Sequence, residues 1–192
     1  MKLDKKKILE KYREEASFHG KLDYGTYEDA LKFVGRTAKS EMEDPIDLFR
    51  VKQFCELVED ANLAYWDEEF AKRKWGAVPC PPAMLRVFVM RPIWRPKYYK
   101  KGRYSEWIAF KVPLPGDTVI NVENEVTYHA RFFVGDKLTA EEKVVDVSEE
   151  KDTALGKGHF ITTVAYWRNQ RGELVAEERN VIFRFKSRDE DD

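Results

Sequence analysis

Asp60, Asn62, Tyr65 and Asp67 stand within one polar bend, Asp60-Ala61-Asn62-Leu63-Ala64-Tyr65-Trp66-Asp67, and bring carboxylates, an amide and a phenol close together in the chain. Moving a proton to and from a bound substrate needs one group that takes it and another that gives it. By type alone Asp60 could take part in such a transfer, although an aspartate at a helix C-terminal bend is often just solvated or bonded to nearby backbone groups. A phenol titrates at about pH 10, which makes Tyr65 a poor base at neutral pH. The chain has three histidines, His19, His129 and His159. None lies in the Asp60 bend, and a lone histidine on a strand is more often structural or exposed than catalytic. Cys80 lies beside two prolines with no base near it in sequence, so it reads as a packed thiol.

Two helix signatures hold the bend. Asp44-Pro45 offers an N-cap with proline at the first helical position, and Ile46, Phe49, Phe54, Leu57, Val58 and Ala61 follow at near-helical spacing. A second helix is expected from Asp67 as N-cap, with Glu68 and Glu69 in its first turn, Lys72, Arg73 and Lys74 in its last, and a stop at Gly76. Past it, Pro81-Pro82 braces another helix start at Ala83-Met84-Leu85. Donors in a first helical turn lack intrahelical acceptors, so the Ala83 N–H is placed where an oxyanion is favoured.

The segment Asp60-x-Asn62-x-x-Tyr65-x-Asp67 resembles the D-x-N-P-x-H-x-D segment of MaoC-like (R)-specific enoyl-CoA hydratases, with Tyr65 where the family carries its catalytic histidine. The Pro81-Pro82-Ala83 start resembles the central helix in the N-terminal halves of two-domain dehydratases, and Ala83 matches the glycine whose N–H meets the thioester oxygen in catalytic halves. Arg131-Phe132-Phe133-Val134-Gly135-Asp136 is similar to the family's P-x-x-x-GD-x-L turn. Val144–Val147 and Asn169–Ala176 are similar to a strand and a hairpin of the FAS1-like dehydratase N-terminal group. The resemblance runs over residues 35–185.

What it implies is an α+β chain with a single hot-dog fold, a curved antiparallel sheet wrapped around a central helix. The expected divisions are an N-terminal helical extension over 1–34, the hot-dog domain over 35–186 and an acidic tail over 187–192. In active relatives Asp and His together hold the water that adds to, or leaves, the double bond of an acyl thioester. With tyrosine in place of histidine, the implied function is a subunit without the full catalytic pair, in a heteromeric enoyl-CoA hydratase or 3-hydroxyacyl-thioester dehydratase, where it shapes the acyl pocket. Its partner would be a second, MaoC-like hot-dog chain. Two alternatives stay open: a self-sufficient homodimeric hydratase or thioesterase, and an acyl-CoA-binding protein without turnover. No cofactor and no metal is implied. The pocket residues this reading names are Asn62, Trp66, Cys80, Pro82 and Ala83.

A loop offers further pocket candidates, although for an isolated charge run a solvated loop is the commoner case. Arg91-Pro92-Ile93-Trp94-Arg95-Pro96 interrupts the helix, and the basic aromatic run Lys97 to Arg103 follows. As a lid, Lys97, Lys100 and Arg103 would meet the CoA phosphates while Trp94 and Tyr98 face the acyl group; as a plain solvated loop its aromatics would pack on the body. Beyond it, Val119–His129, Lys137–Val147, Gly158–Asn169 and Leu174–Lys186 read as strands, the last two joined by a turn at Asn169-Gln170-Arg171-Gly172.

Composition narrows the partners. The 192 residues suffice for one well-cored domain. A formal net charge of −1 gives no reason to expect nucleic acid or an anionic membrane as partner, and 14% aromatic residues favour broad apolar contacts with a ligand or another subunit. The two cysteines form neither a disulfide framework nor a zinc spacing, and no apolar run reaches membrane-spanning length, so a cytoplasmic protein is expected.

Overall fold

The alternating C-terminal sequence folds into paired strands whose register decides what faces the core. In the computed structural model, which describes residues 22–90 and 107–188, β5 (Gly156–Asn169) and β6 (Leu174–Ser187) form a hairpin of two 14-residue strands. Their turn is built by Asn169, whose buried Oδ1 accepts the N–H groups of Arg171 and Glu173 at 3.0 and 3.2 Å. β1 (Thr37–Glu41), β2 (Thr118–Tyr128), β3 (Leu138–Val147) and β4 (Lys151–Thr153) complete a six-stranded sheet in the order β1-β3-β5-β6-β2, with β4 hairpinned onto β5. Every pairing is antiparallel. The expected N-terminal helix, the basic aromatic loop and the last residues of the tail lie outside the described residues.

Side chains alternate across a strand, so the pairs Trp167↔Ala176, Ala165↔Glu178, Thr163↔Asn180 and Ile161↔Ile182 share the inner face. Two apolar clusters occupy that face. One gathers Leu138, Ala140, Trp167 and Ala176 against Met84, Leu85, Phe88 and Val89. The other sets Val144, Ile161 and Ile182 against Ala30 of α1 (Tyr27–Leu31) and against Ile108 and Ala109 of α5 (Ile108–Lys111).

Met84 to Val89 belong to the central helix, Pro82–Val89, which is of 3-10 type over its 8 residues. Pro81 and Pro82 bring no N–H to its start, and a tight 3-10 segment is usually short. Fully burying each of its four apolar side chains contributes about 1.5–3 kcal/mol, which fastens this short helix to the sheet.

The helix before the bend departs from expectation in two ways. It is α2 (Leu48–Leu57), capped by Asp47 rather than Asp44, with Asp47 Oδ1 accepting the Arg50 N–H at 2.9 Å. Ile46 cannot join it because its backbone is bonded to the 135–136 turn, donating to Asp136 O at 2.9 Å and accepting from Gly135 N at 2.8 Å. The buried face is Val51 and Cys55, whereas Phe49 and Leu57 are 69% and 81% exposed. The next helices follow the sequence more closely. After α3 (Leu63–Trp66), Asp67 caps α4 (Glu68–Trp75) by accepting the Phe70 N–H at 2.9 Å, and Gly76 ends it with φ 82° in the left-handed region that glycine adopts without strain.

Candidate functional site

Asp60 is committed to the bend that contains it. Its Oδ1 accepts the Asn62 N–H at 2.9 Å, its carbonyl accepts the Trp66 indole N–H at 2.7 Å, and its own N–H donates to Cys55 O at 2.8 Å. Asn62 caps α3, with Oδ1 accepting the Ala64 N–H at 3.1 Å. Glu59, just before, takes φ 55°, an uncommon conformation for a non-glycine residue. Asn62 and Asp67 therefore cap short helices, and Asp60 closes the turn that leads into the first of them. Asn62 and Trp66 stay exposed.

Tyr65 points the other way, into the apolar cluster with Cys55, Cys80, Met84 and Leu85. Burial pushes its phenol above the ordinary value, and the Asp60 charge adds to the effect. Among the described residues no hydrogen bond joins that phenol to Asp60. Cys80 is held beneath the proline loop: its N–H donates to Phe132 O at 2.8 Å, and Pro79 bridges to Phe133. Burial raises its thiol far above the usual range, with Cys55 contributing. Both cysteines are free and buried, so neither is expected to react with iodoacetamide at pH 8 until the chain is unfolded in denaturant. Fast native labelling of either would contradict this packing.

Pro82 and Ala83 lie exposed at the start of the central helix. Tyr128 on the edge strand β2 donates its hydroxyl to Pro82 O at 2.9 Å, which ties that helix start to the sheet edge. Trp94, Lys97, Tyr98, Lys100 and Arg103 lie outside the described residues. His129 is exposed, its Nε2 3.4 Å from Glu177 Oε1. His159 is buried, with Nδ1 2.9 Å from Ser148 O and its ring stacked 5.2 Å from that of Tyr27. An open depression of about 560 Å³ at the β4–β5 end is lined by Pro115, Gly116, Glu150, Asp152, Lys157 and Arg188 among others, and shares no residue with the Tyr65 and central-helix region.

The structure adds a group of residues that the motifs did not point to. Between the two apolar clusters a polar belt crosses the inner face. Glu178, 1% exposed, is ion-paired with Arg86 of the central helix and accepts from Asn124 Nδ2 at 2.7 Å and Trp167 Nε1 at 3.0 Å. Asn180 accepts from Asn121 and Asn124 at 2.9 and 3.2 Å. Glu142 accepts from Thr163 Oγ1 at 2.8 Å and from the Ile108 N–H at 3.0 Å. Its burial raises the carboxyl, offset in part by Thr163 and Arg86. The Trp107 ring lies 3.5 Å from the Arg86 guanidinium carbon. Two sequence signals mark this belt in retrospect: an arginine inside the apolar run Met84-Leu85-Arg86-Val87-Phe88, and Glu178 and Asn180 at the same strand parity as core residues Ala176 and Ile182.

Among the described residues no group of His, Cys, Asp or Glu side chains is placed to hold a metal ion, and no helix is long and apolar enough to cross a membrane.

The profile of the FAS1-like, dehydratase domain region matches residues 32–178. A probable enoyl-CoA hydratase alpha subunit from Thermomonospora curvata is 33% identical over 167 residues, covering 83% of this chain and 52% of that protein. The 3-oxo-4,17-pregnadiene-20-carboxyl-CoA hydratase alpha subunit of Mycobacterium tuberculosis is 29% identical over 164 residues, covering 81% and 50%. The chain thus spans about half the length of the curated relatives it matches. In fold it is similar to a chain of the crystal structure of the ChsH1-ChsH2 complex from Mycobacterium tuberculosis, with a TM-score of 0.64 at 22% identity over 96% of this chain and 99% of that one.

Proposed function

The chain belongs to the FAS1-like dehydratase family of MaoC-like hot-dog proteins, and from that membership we propose that it is the pocket-shaping subunit of a heteromeric enoyl-CoA hydratase or 3-hydroxyacyl-thioester dehydratase. A second hot-dog chain supplies the catalytic Asp and His. The observation that carries this reading is the state of the Asp60–Tyr65 bend. Asp60 closes a backbone turn, and the residue at the histidine position is a buried tyrosine whose phenol is pushed further from neutrality. Hydration of an enoyl thioester needs a general acid and a general base, and a buried phenol without a hydrogen bond to Asp60 among the described residues supports placing that pair on another chain.

Two further features support the reading. Pro82 and Ala83 stand exposed beside Tyr128 on the edge strand, where a neighbouring hot-dog chain would complete the sheet and cover the acyl group. The two relatives are alpha subunits of hydratases by name, and the similar solved structure is that of the ChsH1-ChsH2 complex. Buried free thiols suit a reducing, cytoplasmic compartment.

Asp60→Asn keeps the Oδ1 acceptor that the Asn62 N–H uses and removes only the charge. Hydration of a trans-2-enoyl-CoA by the assembled enzyme is expected to be unchanged. Loss of ~10²-fold or more in kcat would instead make Asp60 a general acid or base.

A further inference from the structure

We propose that residues 1–21 of this chain dock on an apolar, acid-rimmed face formed by the end of α2, the Asp60 bend and α3.

Leu57, Val58, Leu63 and Trp66 are 81%, 51%, 51% and 43% exposed. They surround one bend, and the Trp66 indole donates to the Asp60 carbonyl, which draws α3 back against the end of α2. Apolar side chains exposed singly are ordinary, but several gathered around one bend mark a contact surface. The charges beside them are of one sign. Residues 56–69 hold Glu56, Glu59, Asp60, Asp67, Glu68 and Glu69 and no lysine or arginine. Lys52 and Lys72 reach Glu68 and Glu69, whereas Glu56 and Glu59 are exposed and meet no cation among the described residues. Pairing this face with the same face of a second copy would set like charges together. What covers it must bring apolar side chains among cations.

Residues 1–13 have that make-up, with Leu3, Ile8, Leu9 and Tyr12 among six lysines and arginines, against two acidic residues. Their place in the chain fits as well. The described chain starts at Leu22, and the Asp23 N–H donates to Phe110 O at 3.4 Å. This end lies by Arg184, whose guanidinium is 5.1 Å from the Tyr24 ring and whose partner across the sheet is His159. The bend belongs to the other end, where Tyr65 shares a cluster with Leu138 and Trp167. From His159 to Trp167 the strand covers roughly 27 Å. Residues 13–21 reach about 30 Å, so Leu3 to Tyr12 arrive at the bend while Leu22 stays anchored. Docked there, the segment covers Asn62 and Trp66 and assigns them to a contact within the chain instead of to the acyl pocket.

Trypsin digestion of the native full chain, followed by intact mass, tests this through the rate of cutting after Lys5, Lys6, Lys7, Lys11 and Arg13. Docking is expected to hold that rate at least ~10-fold below the rate in the double variant Leu57→Ser, Leu63→Ser, which removes two exposed leucines from the face. The charge variant Glu56→Lys, Glu59→Lys should speed cutting as well. Ile8→Ser, Leu9→Ser, placed in the segment itself, gives the same contrast and serves if the face variants fail to fold. Equal rates in the parent and every variant overturn the docking. Release by the segment variant alone, with folded face variants, also overturns it, because the segment would then be held elsewhere. Slow cutting that sets in only with rising concentration and a doubled native mass overturns it in favour of a second copy's segment. Slow cutting only in the assembly co-expressed with a catalytic hot-dog chain overturns it too, and gives the face to that chain. None of these rates measures turnover, so the subunit reading stands or falls separately.

Discussion

Arg86→Ala is expected to cost about 3–5 kcal/mol of folding stability, as removing one partner of a buried ion pair does. Glu178 is 1% exposed, and Arg86 is the cation in contact with it among the described residues. Truncating Arg86 leaves that carboxylate buried with Asn124 and Trp167 as its donors among the described residues. It also takes away the group over which Trp107 lies. Urea denaturation of the purified chain checks this through the midpoint at constant slope. The double variant Arg86→Met, Glu178→Gln should recover most of the loss, since it removes the charge that the single variant strands. A change below ~1 kcal/mol for Arg86→Ala would mean that the pair behaves like a solvent-screened surface contact, and would remove the structural basis of the belt.

Trp167→Ala is expected to cost a similar ~3–5 kcal/mol, for a different reason. The indole is 1% exposed at the centre of the larger apolar cluster, paired across the hairpin with Ala176 and sharing the cluster with the central-helix residues Met84, Leu85, Phe88 and Val89. Truncation opens a cavity in that cluster and deprives Glu178 Oε2 of its indole donor. Trp167→Phe separates the two contributions. It retains much of the ring volume and loses the N–H, so a loss of about 1–3 kcal/mol is expected from the unsatisfied carboxylate oxygen. The same denaturation midpoints measure both variants. A phenylalanine variant as stable as the parent would show that the indole N–H contributes nothing to the belt.

Strand positions were readable because they depend on local alternation. Leu174–Ser187 and Gly156–Asn169 begin and end within two residues of the sequence reading, and the Asn169–Gly172 turn carries its own chemistry in the Asn169 side chain. The α4 helix was readable for the same reason, since Asp67, the charged turns and Gly76 are all local signals. The α2 helix was not. Its start is set by Ile46 bonding to the 135–136 turn, and its buried face by what packs on Val51 and Cys55 rather than by where apolar residues recur. The three-residue strand β4 is too short to show a pattern.

The Asp60 bend was found by its residue types, but its chemistry depends on what those side chains do in space: turn closure for Asp60, capping for Asn62, burial for Tyr65. The polar belt was the least legible feature. Arg86 and Glu178 are 92 positions apart, and Asn124 and Glu178 are 54 apart, so no local spacing announces them. Only strand parity places Glu178 and Asn180 on the core side, and only the packed central helix brings Arg86 to meet Glu178.

The most direct test of the subunit assignment is hydration of a trans-2-enoyl-CoA, measured together with native mass, on the chain purified alone and on the chain co-expressed with a hot-dog protein that has an intact D-x-N-x-x-H segment. The assignment predicts a mixed assembly that turns over substrate and an isolated chain that does not. Turnover by the isolated chain, abolished by Asp60→Asn, would contradict it and make the Asp60–Tyr65 bend an active site in its own right.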